Sequence, residues 1–323
     1  MGSKNTARNP FRIPMLQIDE SGNWSSDDPT KGGIDPVKGE FLSFGLNNAK
    51  LKALRKAAAK RFDLPIAKVK VLTLTLPAGW SCPGANECLA FADPETGKIW
   101  DSPSLVFRCF AASDERYPDV RRQNWHNFNL LRRLERVKDP VMDMPVSHYV
   151  TKRDQYQTFI VDSIFNAMVK YKVKDDDYVI IRIHVGGDFF SKSYLLAWSD
   201  ALAELDSVQK LTGAVPRIVG YAYSKSMHHI ADLETPENFV LTASRGGKFD
   251  WLIDEIGLKE SVVVFSEEEA ESKGLEPDHD DSHAVWGKES FGLLIHGTQP
   301  KGSEAAKAKV ALEAKGVKAG YNS

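Results

Sequence analysis

The stretch 178-YVIIRIHVGGDFFSKSYLLAWSDALAELDSVQKLTGAVPRIVGYAYSKS-226 decides the fold class. It opens on a short run rich in β-branched residues, 178–185, that stops at Gly186 and Gly187, and it closes on a second apolar run at 217–221. The segment SKSYLLAWSDALAEL between them reads as a helix. A strand, a helix and a strand bounded by Gly or Pro make a βαβ unit, whose two strands lie parallel. The rhythm continues downstream. Apolar runs at 239–243, 261–265 and 291–296 are interleaved with SMHHIADLE, KFDWLIDEIG and EEEAESKG.

Upstream, KVKVLTLTL at 68–76 alternates β-branched residues with Leu and Lys and ends at Pro77, Ala78 and Gly79, the pattern of one more strand. Six strands fall short of a closed eight-stranded barrel. They suit a TIM-barrel-like α/β fold, a partial (β/α)6 barrel whose right-handed crossovers bring every strand C-terminus to one rim. Asn47 and Asn48 precede AKLKALRKAAAKRF, a strongly helix-forming segment that an Asn can cap. Two more helical stretches, 114–137 and 150–172, are expected to cover the sheet. The second repeats Tyr156, Ile160, Ile164, Ala167, Met168 and Tyr171 near a 3.6-residue period. Residues 1–41 are rich in Gly, Pro, Ser and Asp without period and read as an irregular N-terminal arm. That leaves 42–323 as a single barrel-like domain.

Of the 323 residues, 42% are hydrophobic and 27% charged, ample for a buried core. No run approaches the roughly 18 apolar residues of a membrane span, and the start MGSKNTARNPFRIP lacks the apolar segment of a secretory signal. A net charge of −2 argues against wholesale affinity for nucleic acid or membrane. The expectation is a cytoplasmic protein, where clustered thiols bind metal or catalyse more often than they bridge.

All three cysteines fall in one segment after the first strand, 81-SCPGANECLAFADPETGKIWDSPSLVFRCF-110. Their neighbours Pro83, Gly84, Asn86 and Glu87 are loop residues. Three thiolates converging on one point would hold a metal centre with a coordination position left over. The gaps of five and twenty residues do not match the close spacing of a structural zinc site. A [4Fe–4S] cluster held by Cys82, Cys88 and Cys109 is the preferred reading, with zinc as the alternative.

The other rim loops are also unusual. Arg182 and His184 alternate with Ile181, Ile183 and Val185, so both are expected to face away from the apolar residues, ahead of Gly186, Gly187 and Asp188. The glycines would let a ligand approach the backbone, and Asp188 would accept from an amino group, unless the turn is a plain strand-to-helix connection. Tyr223 and Lys225 offer an aromatic face and a cation, Arg245 an anion contact before two glycines, and His296 ends the last strand. Each also has a bland reading as packing or as a solvated charge. The run 278-DHDDSH-283 has the composition of a metal tract but reads more simply as a solvated loop.

The segments SCPGANEC, FRCFAAS, RIHVGGDFFS, GYAYSKS and TASRGG resemble the gene product 88 family of bacteriophage proteins, from about Leu42 to the C-terminus. The resemblance implies a phage-encoded protein acting in the host cytoplasm and brings no activity with it. A more distant likeness is to the radical S-adenosylmethionine enzymes, partial (β/α)6 barrels with a three-cysteine loop after the first strand and Gly-Gly-Glu after the second. Cys82, Cys88 and Cys109 stand in the first place and Gly186, Gly187 and Asp188 in the second. The cysteine spacing is wider than that family's, and Asp188 is one methylene shorter than its glutamate. The likeness implies a [4Fe–4S] cluster with S-adenosylmethionine at its open iron.

Two other classes remain. One is a binding module that engages host protein or nucleic acid through the helix at 114–138, with its arginines and Trp125, and uses the metal as a clip. The other is a metal-dependent hydrolase or nuclease built on His184, Asp188 and His296.

Overall fold

The computed structural model describes residues 41–48, 51–135, 151–230 and 233–317. The expected N-terminal arm, but for its last residue, lies outside them, as do the end of the arginine-rich stretch beyond Glu135 and Ala49 and Lys50.

Six parallel strands follow one another across a sheet in chain order: β2 (Val69–Thr73), β5 (Tyr178–Ile183), β6 (Arg217–Ser224), β7 (Phe239–Ser244), β8 (Glu260–Val264) and β10 (Phe291–Leu294). Two short strands extend the edges, β1 (Gly45–Leu46) antiparallel to β2 and β9 (Glu276–Pro277) parallel to β10. A separate hairpin, β3 (Ala90–Ala92) with β4 (Ile99–Asp101), sits in the cysteine segment. The fold is mixed α/β with an eight-stranded, mostly parallel sheet. The sheet is not closed, because its edge strands β1 and β9 do not pair with each other.

Alternation along the strands divides the core. Leu72, Leu74, Val179, Ile181, Ile183 and Ile218 face α3 (Pro118–Glu135), α4 (Lys152–Lys170) and α5 (Lys192–Thr212). Val69, Val71, Tyr178, Ile180, Val219 and Tyr221 face the other way, onto α1 (Lys52–Arg61) and α9 (Ser282–Trp286). The remaining helices are α2 (Phe110–Asp114), α6 (Met227–Ile230), α7 (Trp251–Ile256), α8 (Glu267–Ser272) and α10 (Glu304–Ala314). A barrel would keep its second face as a lumen, whereas here α1 and α9 fill it with side chains.

Local chemistry explains the main boundaries. Ser191 caps α5 by accepting from the Tyr194 N–H at 3.3 Å, and Gly213, at φ +64°, ends the helix in the left-handed conformation. Thr151 and Asp154 make a capping box at the start of α4. At the start of α1 Leu51 occupies the cap position and makes no side-chain bond. Asn47 takes φ +49° and pairs with Val71 through its own N–H and its side-chain oxygen, at 2.7 and 3.0 Å, which extends the sheet edge. No helix among the described residues is long and apolar enough to cross a membrane.

Candidate functional site

At the C-terminal ends of the strands lies a cavity of about 150 Å³. Cys82, Cys88 and Cys109 all line it, together with His184, Gly186, Gly187, Asp188, Tyr223, Lys225 and His296. Arg245 does not. Its guanidinium turns outward to ion pairs with Glu260 and Asp254, the latter at 2.6 Å, and only its backbone carbonyl, which accepts from the Lys225 ammonium, serves the site.

The cysteine segment reaches the cavity from two sides. Its first arm is stitched to the loop after β7 and packs, at Gly84, against Lys225 of the loop after β6. The Glu87 N–H donates to Gly246 O at 2.9 Å, the Lys248 N–H donates to Gly84 O at 2.8 Å, and Ala85 pairs with Gly247 in an isolated bridge. Its second arm is held by the loop after β10. Gln299 Oε1 accepts from the Arg108 N–H at 2.7 Å, and Gln299 Nε2 donates to Arg108 O at 3.1 Å. Thus Cys82 and Cys88 are held by the loop after β7, in the middle of the sheet, and Cys109 by the loop after β10.

The glycines after β5 serve this assembly. A Cβ on Gly187, at φ +89°, would fall 2.5 Å from both Leu76 Cβ and Ser81 Oγ, and one on Gly186 would fall 2.8 Å from Ala111 Cβ. The cysteine segment packs closely on the backbone here, and both glycines also line the cavity. Asp188 is likewise engaged. Oδ1 accepts from Ser224 Oγ at 2.6 Å and from the Phe189 N–H at 2.7 Å, while Oδ2 accepts from the Lys225 N–H at 2.8 Å. It clasps the β5 loop to the β6 loop. Burial raises its carboxyl to about 6, against these hydrogen bonds and the nearby Lys225 charge.

Arg182 and His184 do not share a face. His184 adopts φ +63°, which breaks the alternation and sends its ring to the α5 side, where it is hydrogen-bonded to Tyr194 Oη at 3.0 Å and packs edge-on against Phe189. It is a core histidine, with burial alone holding its pKa at about 3. Arg182 points the other way and donates to Asp281 Oδ2 at 2.7 Å. Asp281 also accepts from Tyr221 Oη at 2.5 Å and Tyr223 Oη at 3.1 Å. The run 278–283 is therefore not a solvated loop: Asp281 is 1% exposed and organises three residues beside the cavity. Sequence reasoning missed Asp281, Ser224 and Gln299, and only the acidic run offered a signal for any of them.

The arginine-rich helix does not present Trp125 for stacking on bases. Trp125 is wholly buried, and Arg121 and Arg132 are buried with it, while Arg116, Arg122 and Arg133 are exposed. His184 and Asp188 turn to different partners, which does not assemble the hydrolytic trio with His296.

The electrostatics of the thiols are those of a shielded site. Desolvation pushes Cys82 well up, and the charges of Asp188, Cys109 and Cys88 push it further. Cys88 is raised by desolvation against the pull of the Lys225 ammonium. Cys109 is raised to about 12 by desolvation and by Cys88, partly offset by hydrogen bonds from the backbone of Ala112 and Ala111. Three free thiols in such a place would stay protonated at neutral pH. A metal centre, which binds thiolates, would have to displace those protons. Among the described residues no three His, Cys, Asp or Glu side chains are grouped to hold a single metal ion.

The family model of gene product 88 matches residues 41–314, and the chain belongs to that family. Comparison with curated proteins finds no match, and neither does comparison with solved structures.

Proposed function

We propose that this member of the gene product 88 family is an iron–sulfur protein in which Cys82, Cys88 and Cys109 hold a [4Fe–4S] cluster and leave one coordination position to a group other than cysteine. One observation carries the reading. The chain's only cysteines, separated by five and twenty residues, converge on one small cavity from two arms, one held by the loop after β7 and the other by the loop after β10. A cubane binds each thiolate at a different iron, so it takes sulfurs spread more widely than a lone zinc ion does. That favours a cluster over zinc, given that no single-ion grouping is present among the described residues. When bound, a cluster supplies one-electron redox chemistry.

The chain's own residues prepare the place. Backbone N–H groups of Ala111 and Ala112 face the Cys109 sulfur, and the Lys225 ammonium favours the thiolate of Cys88. Lys225 is held at that post by Ser244, whose carbonyl and hydroxyl oxygens it meets at 3.0 and 3.1 Å. All three cysteines are half-buried at the wall of the cavity.

Anaerobic purification tests the reading. Stoichiometric iron and sulfide, with visible absorption bleached by dithionite, is the expected result. A colourless protein lacking both would overturn it.

S-adenosylmethionine at the open position is a narrower form of the proposal with less support. The cavity is smaller than the roughly 300–1,000 Å³ of a pocket for a drug-sized ligand. Moreover, the Asp188 carboxylate that would meet an amino group already accepts three hydrogen bonds. Formation of 5′-deoxyadenosine with S-adenosylmethionine and dithionite separates a radical enzyme from a cluster carrier.

A further inference from the structure

We infer that His296 Nε2 is the fourth ligand of the cluster, so that the site is Cys3His and closed rather than open to a small molecule; this rests on the iron–sulfur reading above. His296 lines the same cavity as the three cysteines, at the end of β10. Its Nδ1 lies 3.0 Å from Leu294 O. A carbonyl can only accept, so Nδ1 carries the proton and Nε2 is the basic nitrogen. Metal-bound imidazoles are held in this way, the second ring N–H being given to a carbonyl that fixes tautomer and orientation.

The His296 loop is also locked to the Cys109 arm. Gln299 Nε2, which donates to Arg108 O, donates to His296 O as well, at 2.6 Å. Gly297, at φ +74°, lies so close to Phe110 that a Cβ there would fall 2.7 Å from Phe110 Cβ. The Phe110 and His296 rings sit 5.0 Å apart. The imidazole is thereby oriented, and set beside the residue that follows Cys109, by contacts that need no metal. His184, the other histidine on the cavity, has its Nε2 engaged with Tyr194 and its ring packed on the α5 side.

The test uses full-length protein made with 15N-histidine, isolated anaerobically and reduced, and read by pulsed EPR. The wild type is expected to show strong histidine-nitrogen coupling to the cluster. His296→Cys should keep the iron and sulfide content, lose that coupling and shift the midpoint potential to more negative values, because a thiolate replaces a neutral imidazole. His184→Gln should keep the coupling. Absence of coupling in wild type at full iron content overturns the assignment, as does coupling that survives in His296→Cys or vanishes in His184→Gln. Each of those results leaves the iron–sulfur reading standing. Protein devoid of iron and sulfide would remove both.

Discussion

Arg182 and Asp281 form a buried ion pair, Nη1 to Oδ2 at 2.7 Å, that ties the end of strand β5 to the start of α9 across 99 residues of sequence. Both side chains are nearly inaccessible, at 5% and 1% exposure, and two tyrosine hydroxyls converge on the same carboxylate. Asp281→Ala would remove the buried carboxylate that the guanidinium and both hydroxyls share. The expected loss is about 3–5 kcal/mol, measured as a fall in the urea midpoint. Arg182→Met combined with Asp281→Leu should recover part of it, because no buried charge is then left alone.

Gly187→Ala is expected to displace the cysteine segment, since the new Cβ would collide with Leu76 and Ser81. Gly213→Ala is the control: it shares a positive φ but has open space around it. Each should lose about 1 kcal/mol or more to the left-handed conformation. Iron content per chain should fall only for Gly187→Ala.

Glu115 predicts a pH dependence. It is wholly buried, its Oε1 accepts from the Ala78 N–H at 2.7 Å, and burial raises its carboxyl from 4.5 to about 8, against hydrogen bonds from Ala78 and Asn124 and the Arg121 charge. Oε2 is a buried oxygen without a hydrogen-bond partner among the described residues, a position that favours the neutral carboxyl. A carboxyl with a raised pKa binds its proton more tightly in the fold than in the unfolded chain. Its stabilising contribution is therefore complete below about pH 4.5 and is lost as pH rises toward 8. Glu115→Gln should flatten the urea midpoint across that window and exceed wild type at pH 8.

Arg121 clamps the cysteine insertion through carbonyl oxygens alone. Nε donates to Pro94 O at 2.9 Å, Nη1 to Glu115 O at 2.7 Å and Arg116 O at 3.2 Å, and Nη2 to Glu95 O at 3.1 Å. Lysine cannot reproduce that fork. Arg121→Lys should lower stability by about 2 kcal/mol or more and speed limited proteolysis within residues 93–117.

The strand run was legible in the sequence because a buried parallel strand is a short apolar stretch with a breaker at its end, and these six have both. All six expected strands are present, with ends shifted by a few residues. The rim was legible for the same reason, since parallel strands fix where their following loops must lie. Which side chains enter the cavity was a different matter. Arg245 had an anion-contact reading until Glu260 and Asp254 claimed its guanidinium. Alternation placed His184 with Arg182, but a positive φ at one residue reversed the ring, a backbone choice that no side-chain pattern announces.

The amino-acid sequence by itself determined that six parallel strands follow in chain order and that three cysteines hang from the first. Both are properties of local pattern, written in neighbouring residues. Tertiary structure alone decided that the sheet stays open, since α1 and α9 fill the face a barrel would enclose. It alone decided that the glycines seat the cysteine segment, and that Asp281 and Gln299 organise the cavity. Those outcomes depend on contacts between residues tens to hundreds of positions apart. Their energetics are set by burial and hydrogen-bond geometry that exist only once the chain is folded.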